Sequence, residues 1–220
     1  MINGGNDAMP MLNLNNALRK DGLSVNILKS LSFNTKLKLS LRRNLGDFNY
    51  NELMADIFSA QAWFTEKTSQ TPLALDYRVK SIQSIVRKYH NHDKNIAVCN
   101  VFNDLLGFRS LCNSYDEIAA IQRAEHFRVV DMSNGKKNDD SYRGVHVYFK
   151  VSNKHYPIEI QYNTYFDRQL NNWLHKYVYK RYSSLNIGKA LRSSYENGSI
   201  RTEQEFKEVL EDVLSGSQGF

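Results

Sequence analysis

The chain contains 220 residues, of which 41% are hydrophobic and 12% aromatic, with only 3 prolines. This length and composition suit one compact domain with a sizeable core and appended helices. No stretch approaches the roughly 18 apolar residues of a membrane span. The N-terminus also lacks the basic and apolar regions of a secretory signal, so we expect a cytoplasmic protein that is not bound to a membrane.

The net charge and the number of cysteines further limit the class of protein that the chain can be. The formal net charge of +6 favours anionic partners such as nucleotide phosphates or RNA, although many basic proteins are merely soluble. Cys99 and Cys112 are too few for a disulfide scaffold and lack the spacing of metal ligands. Disulfide frameworks and cysteine chemistry are therefore not expected.

The first part of the chain, from Leu12 to about Thr68, has a helical pattern interrupted by turn signals at residues 21–22 and 46–47. Residues 1–12 look loose. The segment KLKLSLRR (36–43) alternates basic and apolar residues, which permits a short strand, but its flanks favour a helix.

The middle of the chain alternates between strand and helix patterns. Ser81 is predicted to cap a helix that runs to about Tyr89. A second helix is predicted over 115–126, and strands are predicted over 73–80, 107–112, 127–133, 144–151 and 156–162. The last two strands suit a hairpin across Ser152-Asn153, and a polar loop occupies residues 133–141.

The C-terminal part is predicted to be helical again. A long helix follows Thr164 and runs to about Tyr182, and an amphipathic helix over 202–216 ends at a glycine. Helices, then mixed strands and helices, then helices again predict an α+β fold with a small mixed sheet.

One candidate site lies where the strand over 73–80 leads into the helix capped by Ser81. Strand period places Arg78 and Lys80 on one face, and helical spacing places Ser84 and Lys88 together. Converging cations and a hydroxyl at a helix N-terminus can bind phosphate. A solvated basic helix face is the simpler explanation of this spacing taken alone.

A second set of candidates is acidic and polar. Asp104 stands at the mouth of a strand, and Glu159 lies on the polar face of another with Gln161. If His146 on the neighbouring strand shares that face, these side chains line one cleft. Carboxylates beside phosphate suit Mg²⁺ and phosphoryl or pyrophosphoryl transfer. A turn aspartate and a wet edge hairpin remain the alternatives.

Four segments in this order resemble the synthetase domain of the RelA/SpoT family, the pyrophosphokinases that make guanosine alarmones. They are YRVKSIQSIVRKY, NDLLGFR, SYRGVH and PIEIQYNT, and the resemblance covers roughly Tyr77 to Lys180. It implies a nucleotidyltransferase-like mixed sheet flanked by helices. It also implies transfer of the β,γ-pyrophosphate of ATP to a ribose 3′-hydroxyl. The whole chain is then one synthetase domain, with an N-terminal helical region (1–70), a catalytic core (71–183) and a C-terminal helical tail (184–220).

The resemblance also implies roles for individual residues. ATP binding is implied for Arg78, Lys80, Ser84, Lys88 and Arg109, with the two arginines on either side of the adenine. Asp104 and Glu159 would bind Mg²⁺, and Glu159 could help to deprotonate the attacking hydroxyl. Tyr142 would stack on the acceptor base, with His146 and Gln161 in support.

The sequence departs from the family pattern on the acceptor side. Asp139, Asp140 and Ser141 precede Tyr142 where the family has a proline-lysine pair and a glycine. The strand ends without the family's arginine, and Leu174-His175 replaces an expected Glu-His pair. Negative charge beside the acceptor argues against free GDP or GTP.

That pattern is similar to the toxic branch of small synthetases, which pyrophosphorylate the 3′ CCA end of tRNA. A translation-inhibiting toxin with a protein antitoxin is therefore the preferred hypothesis. A basic segment would contact the tRNA backbone through Lys29, Lys36, Lys38, Arg42 and Arg43, unless it is only a solvated surface. The alternatives are a small alarmone synthetase making (p)ppGpp or an adenosine analogue, and an RNA-binding module without catalysis.

Overall fold

The computed structural model describes residues 18–182 and 185–216, so the predicted loose segment 1–12 lies outside the described residues. The chain divides into two compact units. The first unit comprises the chain up to Ser110, together with Asp116–Val130 and His146–Tyr162. The second comprises Leu111–Tyr115, Asp131–Val145 and the chain from Asn163 onward.

Seven α-helices lie within the described residues. They are α1 (Val25–Leu31), α2 (Tyr50–Ser69), α3 (Ile82–Asn91), α4 (Val98–Val101), α5 (Tyr165–Tyr177), α6 (Leu185–Glu196) and α7 (Glu203–Gly216). Short 3₁₀ helices cover Leu45–Asp47 and Tyr115–Arg123. None of these helices is long and apolar enough to cross a membrane.

Five strands form one sheet in the order β1-β2-β5-β4-β3. They are β1 (Asp76–Val79), β2 (Leu106–Leu111), β3 (Phe127–Asp131), β4 (Val145–Phe149) and β5 (Ile158–Asn163). All five predicted strands are therefore present, each with slightly different ends.

The sheet is mixed. Strands β1 and β2 are antiparallel, with Arg78 opposite Gly107. Gly107 also lies against Glu159, and directly after the end of β2 the amide of Cys112 donates to the carbonyl of Asn163. Because these contacts advance in the same direction on both strands, β2 and β5 run parallel. Strands on a sheet with helices around them confirm the predicted α+β fold with a small mixed sheet.

Side-chain alternation explains how β4 packs. Val145, Val147 and Phe149 are buried, whereas His146 and Tyr148 on the other face are half-buried. This is the period of two that the sequence predicted for a strand with one apolar and one polar face. The polar face of β4 therefore remains available for a site.

The helix predicted for residues 36–43 is wrong. This segment is irregular, and its backbone is paired with the connection between β4 and β5. The amide of Leu41 donates to the carbonyl of Asn153 (2.9 Å), and the ammonium of Lys154 donates to the carbonyls of Leu37 and Lys38 (2.8 and 3.0 Å). Distant residues satisfy the backbone groups that a helix would have paired internally.

Three other helical segments differ from prediction. The helix predicted over 115–126 is a 3₁₀ helix, Tyr115–Arg123. The helix that Thr164 caps ends at Tyr177 rather than near Tyr182. The C-terminal tail contains two helices, α6 and α7, of which only α7 has a clear signal in the sequence.

Candidate functional site

The end of β1 and one face of α3 bring two lysines to the same carboxylate. Lys80 Nζ lies 2.6 Å from one oxygen of Asp104, and Lys88 Nζ lies 2.8 Å from the other. Lys88 also donates to the carbonyl of Val101 (3.1 Å). The predicted convergence of Lys80 and Lys88 is therefore present, and Asp104 lies between them.

The start of α3 is built as predicted. The hydroxyl of Ser81 accepts a hydrogen bond from the amide of Ser84 (3.4 Å), and this contact caps the helix. The two serine hydroxyls are also 2.9 Å apart. Ser84 is half-buried, and Lys88 follows it one turn later. A hydroxyl and an ammonium therefore lie on one face of the helix.

The charge of Asp104 depends on the two lysines. Burial disfavours its ionised form, but the ammonium groups of Lys88 and Lys80 outweigh burial and hold the pKa of this carboxyl below its ordinary value. The carboxylate is thus ionised at neutral pH. The cluster of Asp104, Lys80 and Lys88 therefore carries a net positive charge, which favours an anionic ligand.

Arg78 and Arg109 share a face of the β1-β2 pair. Arg78 is directly opposite Gly107, and Arg109 is two residues farther along β2. Diagonal neighbours of this kind are within reach of long side chains. Gly107 lies between them, and a Cβ there would meet the carbonyl oxygen of Glu159 at 2.5 Å, so its missing side chain allows the close approach of β5.

Glu159 is a buried carboxylate in the middle of β5, with 5% of its surface exposed. Its oxygens lie 3.0 Å from His146 Nδ1 and 2.8 Å from Gln161 Nε2, and the hydroxyl of Tyr148 hydrogen-bonds to it as well. The predicted grouping of Glu159, Gln161 and His146 is therefore present.

Burial and hydrogen bonding act on Glu159 in opposite directions. Burial and the charge of Asp104 raise its pKa, but contacts with His146 and Tyr148 prevail and leave the pKa below the ordinary value. The same contact has the reverse effect on its partner: burial and the negative charge of Glu159 raise the pKa of Tyr148. Tyr148 therefore stays a neutral hydrogen-bond donor.

One small pocket in the first unit joins these groups. It is lined by Arg78, Asp104, Gly107, Phe108, Arg109, Glu159 and Gln161. Five of these seven residues are sequence-predicted site residues. Gly107 and Tyr148 were missed, although strand alternation already placed Tyr148 on the face of His146.

Asp104 and Glu159 have the donor chemistry for Mg²⁺. Within the described residues, no group of three or more His, Cys, Asp or Glu could hold a metal ion. Mg²⁺, however, commonly takes only one or two carboxylates and completes its coordination with phosphate oxygens and water. Two ionised carboxylates at one pocket, with cations for the remaining phosphate charge, fit such an ion.

Tyr142 belongs to the second unit. Lys136 lies over its ring, 5.3 Å from the centroid, and Asn163 Nδ2 is 3.5 Å from its hydroxyl. Its amide donates to the side chain of Asp140 (3.2 Å). The ring therefore lies in a loop whose neighbours are polar and cationic.

The acidic residues beside Tyr142 are paired within their own loop. Asp139 accepts two hydrogen bonds from the guanidinium of Arg143 (2.7 and 2.9 Å), and Asp140 pairs with Lys136 (2.7 Å). Arg143 lowers the pKa of Asp139. The negative charge that the sequence predicted beside the acceptor is thus locally balanced, which weakens the charge argument against GDP or GTP.

The predicted tRNA-binding cations are all exposed, but they do not form one surface of free charge. Arg43 pairs with Asp47 (3.0 Å). Lys36 and Lys38 line a cavity of about 410 Å³ that also contains Glu52 and Asp56. Lys29 is exposed on α1, and Arg42 lines a different, more basic cavity.

Comparison with known proteins identifies the class of this site. A family model described as "Region found in RelA / SpoT proteins" matches residues 77–184. This segment contains the lysines at the junction of β1 and α3, together with Asp104, Tyr142 and Glu159. The match supports a pyrophosphokinase of the RelA/SpoT type. Residues 77–184 are its RelA/SpoT-family domain.

Solved structures with similar folds include the following. Small alarmone synthetase 1 from Bacillus subtilis is 23% identical, with a TM-score of 0.43 over 76% of this chain and 98% of that one. Small alarmone synthetase 2 from the same organism is 21% identical (TM-score 0.41; 77% and 98% covered). A GTP pyrophosphokinase family protein from Streptococcus pneumoniae is 20% identical (TM-score 0.38; 77% and 92% covered). No curated protein matches the chain.

Proposed function

We propose that the protein transfers the β,γ-pyrophosphate of ATP to the 3′-hydroxyl of a ribose. The observation that carries this proposal is the single pocket that contains Asp104 and Glu159 together with Arg78 and Arg109. Two flanking arginines suit an adenine ring, which stacks on guanidinium planes. Lys80 and Lys88, which pair with Asp104, suit the triphosphate of the ATP that carries this adenine.

Glu159 is the group that we assign to proton transfer. The acceptor 3′-oxygen attacks the β-phosphorus, the bond from that phosphorus to the α-phosphate oxygen breaks, and AMP leaves. The hydroxyl proton passes to the Glu159 carboxylate, which His146 and Gln161 orient. Mg²⁺ held by Asp104 and Glu159 would supply charge neutralisation for the phosphate oxygens. Lys80, Ser84 and Lys88 would position the triphosphate.

A basic cavity in the first unit suits the phosphate of the acceptor. Its volume is about 470 Å³, and its lining includes Arg42, Arg128 and Lys150, with no carboxylate among the described residues that line it. Tyr148 connects the cavity to the site. Its ring lies 4.4 Å from the guanidinium of Arg128, and its hydroxyl bonds to Glu159. An acceptor whose 3′-hydroxyl reaches Glu159 could thus place a neighbouring phosphate in this cavity.

The preferred acceptor is the 3′ CCA end of tRNA. Arg42 favours this choice because it belongs both to the exposed basic segment and to the lining of the cavity, so it could contact a backbone phosphate of a polynucleotide whose 3′ end reaches Glu159. A tRNA whose terminal 3′-hydroxyl carries a pyrophosphate cannot carry an amino acid on that oxygen. The protein would then act in the cytoplasm as a translation-inhibiting toxin, restrained by a protein antitoxin.

The second candidate is a small alarmone synthetase that uses GDP or GTP. The pairing of Asp139 with Arg143 and of Asp140 with Lys136 supports it, since no unpaired negative charge from these two residues opposes a 5′-polyphosphate. The same basic cavity would then hold that polyphosphate. An RNA-binding module without catalysis is the remaining alternative. It requires that Asp104→Asn leaves toxicity and activity unchanged.

One assay separates the two acceptors. The protein is incubated with γ-labelled ATP, Mg²⁺ and either deacylated tRNA or GDP and GTP, and label on each acceptor is measured. Label on tRNA alone supports the preferred reaction, whereas label on GDP or GTP alone overturns it. Asp104→Asn should abolish transfer to either acceptor.

Matched variants test the cavity. Arg128→Met should raise the KM for the acceptor about 10-fold, the loss expected of one charged contact to phosphate. Lys67→Met is the control, because its ammonium also lies over an aromatic ring (Trp63, 4.8 Å) but outside this cavity. Equal effects of both variants would argue against a phosphate in the cavity.

A further inference from the structure

The loop that carries Tyr142 is fixed by side chains that follow it in the chain. The carbonyls of Asp140, Ser141 and Arg143 each accept a hydrogen bond from a side chain between Asn163 and Arg192. All of these residues belong to the second unit. The Arg143 carbonyl also accepts a hydrogen bond from Asn171 of α5 (2.7 Å), so the backbone on both sides of Tyr142 is tied to later segments of that unit.

Arg192 makes the central contact. This arginine of α6 is 5% exposed, and its Nε donates to the carbonyl of Ser141 at 2.7 Å. Its Nη1 pairs with Asp167 (2.9 Å) and with Glu196 (3.2 Å). A buried guanidinium with two carboxylates is costly to form and is rigid once formed. It therefore defines the position of the carbonyl immediately before Tyr142.

The backbone at Ser141 needs such support. Its φ is +71°, a left-handed conformation that is uncommon for a residue with a side chain, and Ser141 is fully buried. Conformations of this kind persist where the surrounding structure holds them. Gly188, one turn before Arg192, allows α6 to lie close to Asp140 and Ser141. A Cβ there would lie 3.1 Å from both the Asp140 carbonyl and the Ser141 hydroxyl.

Asp167 is itself held on two sides. It accepts hydrogen bonds from the Tyr115 hydroxyl (2.7 Å) and the Thr164 hydroxyl (3.0 Å). Burial and the charge of Asp167 raise the pKa of Tyr115, which keeps that phenol a neutral donor. The chain of contacts from Tyr115 through Asp167 and Arg192 to Ser141 thus has a fixed geometry.

We infer that Arg192 is the positioning residue for Tyr142, acting from a helix that lies beyond the RelA/SpoT-matched segment. This inference rests on the proposed function and on the role that the RelA/SpoT resemblance implies for Tyr142, which is to stack on the acceptor base. Arg192 touches no substrate. It sets the place of the aromatic ring through the Ser141 carbonyl, so its loss affects use of the acceptor and leaves binding of ATP unchanged.

Hydrogen exchange tests the inference without any acceptor. In Arg192→Lys, which keeps a charge but cannot reproduce the fork of contacts, the amides of residues 140–144 should exchange at least 10-fold faster than in the wild type. Exchange in β1 and α3 should be unchanged. Arg201→Met is the matched control, because Arg201 Nε also donates to a backbone carbonyl (Gly198, 3.1 Å) but lies outside the loop. Unchanged exchange of the loop in Arg192→Lys overturns the inference.

Kinetics with ATP and either tRNA or GDP then connect the loop to the reaction. Arg192→Lys should lower kcat/KM for the acceptor about 10²-fold, the cost of a misplacement of roughly 1 Å, while the KM for ATP stays within about twofold. In a Tyr142→Ala background, the same change should not weaken acceptor binding further. Equal losses in both backgrounds would overturn the positioning role. A wild type that uses no acceptor would refute the proposed function, and the exchange result would still decide the role of Arg192.

Discussion

Gly107→Ala is the sharpest test of how the sheet builds the site. A Cβ at this position would lie 2.5 Å from the carbonyl oxygen and 3.2 Å from the Cβ of Glu159. The nearer contact is with backbone, which cannot rotate away. To reach the 3.4 Å of an ordinary contact, β2 and β5 must separate locally by about 0.9 Å. Overpacking of this kind costs about 1–3 kcal/mol of folding stability.

The same displacement moves the Glu159 carboxylate relative to Asp104 and the two arginines. Since a misplacement of about 1 Å can cost about 10²-fold in rate, we expect kcat/KM to fall by about that factor in protein that is still folded. Thermal unfolding and steady-state transfer measure the two effects separately. Gly216→Ala is the control, because a Cβ there meets nothing within 4 Å. A folded Gly107→Ala protein with activity within twofold of the wild type would refute the reasoning.

Four further predictions follow from individual contacts. Lys88→Met should lower kcat/KM for ATP at least 10-fold, since Asp104 loses one of its two cations. Arg87→Met, on the exposed side of α3, is the control and should not lower it. Equal kinetics of the two variants would contradict this prediction. Asp56→Ala should destabilise the fold by about 2–4 kcal/mol in urea unfolding, because the buried hydroxyls of Thr35 and Tyr156 lose their acceptor; a change below about 0.5 kcal/mol would contradict it. The lowered pKa of Glu159 stabilises the folded state above the ordinary carboxyl pKa, and this contribution is lost as pH falls through the folded-state pKa. The stability advantage of the wild type over Glu159→Gln should therefore be present at pH 7 and shrink below about pH 4, and an advantage that grows in acid would be the wrong sign. Neutralising Arg42 and Arg43 together should weaken transfer to tRNA and make its dependence on salt shallower, and an unchanged salt slope would exclude a role in binding the tRNA backbone.

The helical boundaries illustrate where local sequence is sufficient. Ser81 caps α3, as its position before an apolar-periodic segment predicted, and α5 begins directly after Thr164, where a helix was predicted to start. The strands were also predictable, since β4 alternates buried and half-buried residues along its length. These features depend on neighbours within a few residues, which the sequence displays directly.

The segment from 36 to 43 illustrates where it is insufficient. Its flanks favour a helix, but the amide of Leu41 and the carbonyls of Leu37 and Lys38 pair with residues near 153. Partners more than 100 residues away carry no local signal, so tertiary contacts override the propensity.

The candidate site divides in the same way. The residue types that could bind phosphate and Mg²⁺ were recognisable from the sequence, and the strand period already placed Arg78 with Lys80 and Glu159 with Gln161. The packing of the folded chain was needed to show that Asp104 lies between Lys80 and Lys88 and that Tyr148 bonds to Glu159. It also decided that Asp139 is neutralised by Arg143, and that Arg192 holds the backbone before Tyr142. The physical reason is that periodicity fixes which face of an element a side chain occupies, whereas charge balance and hydrogen bonding depend on which other element packs against that face.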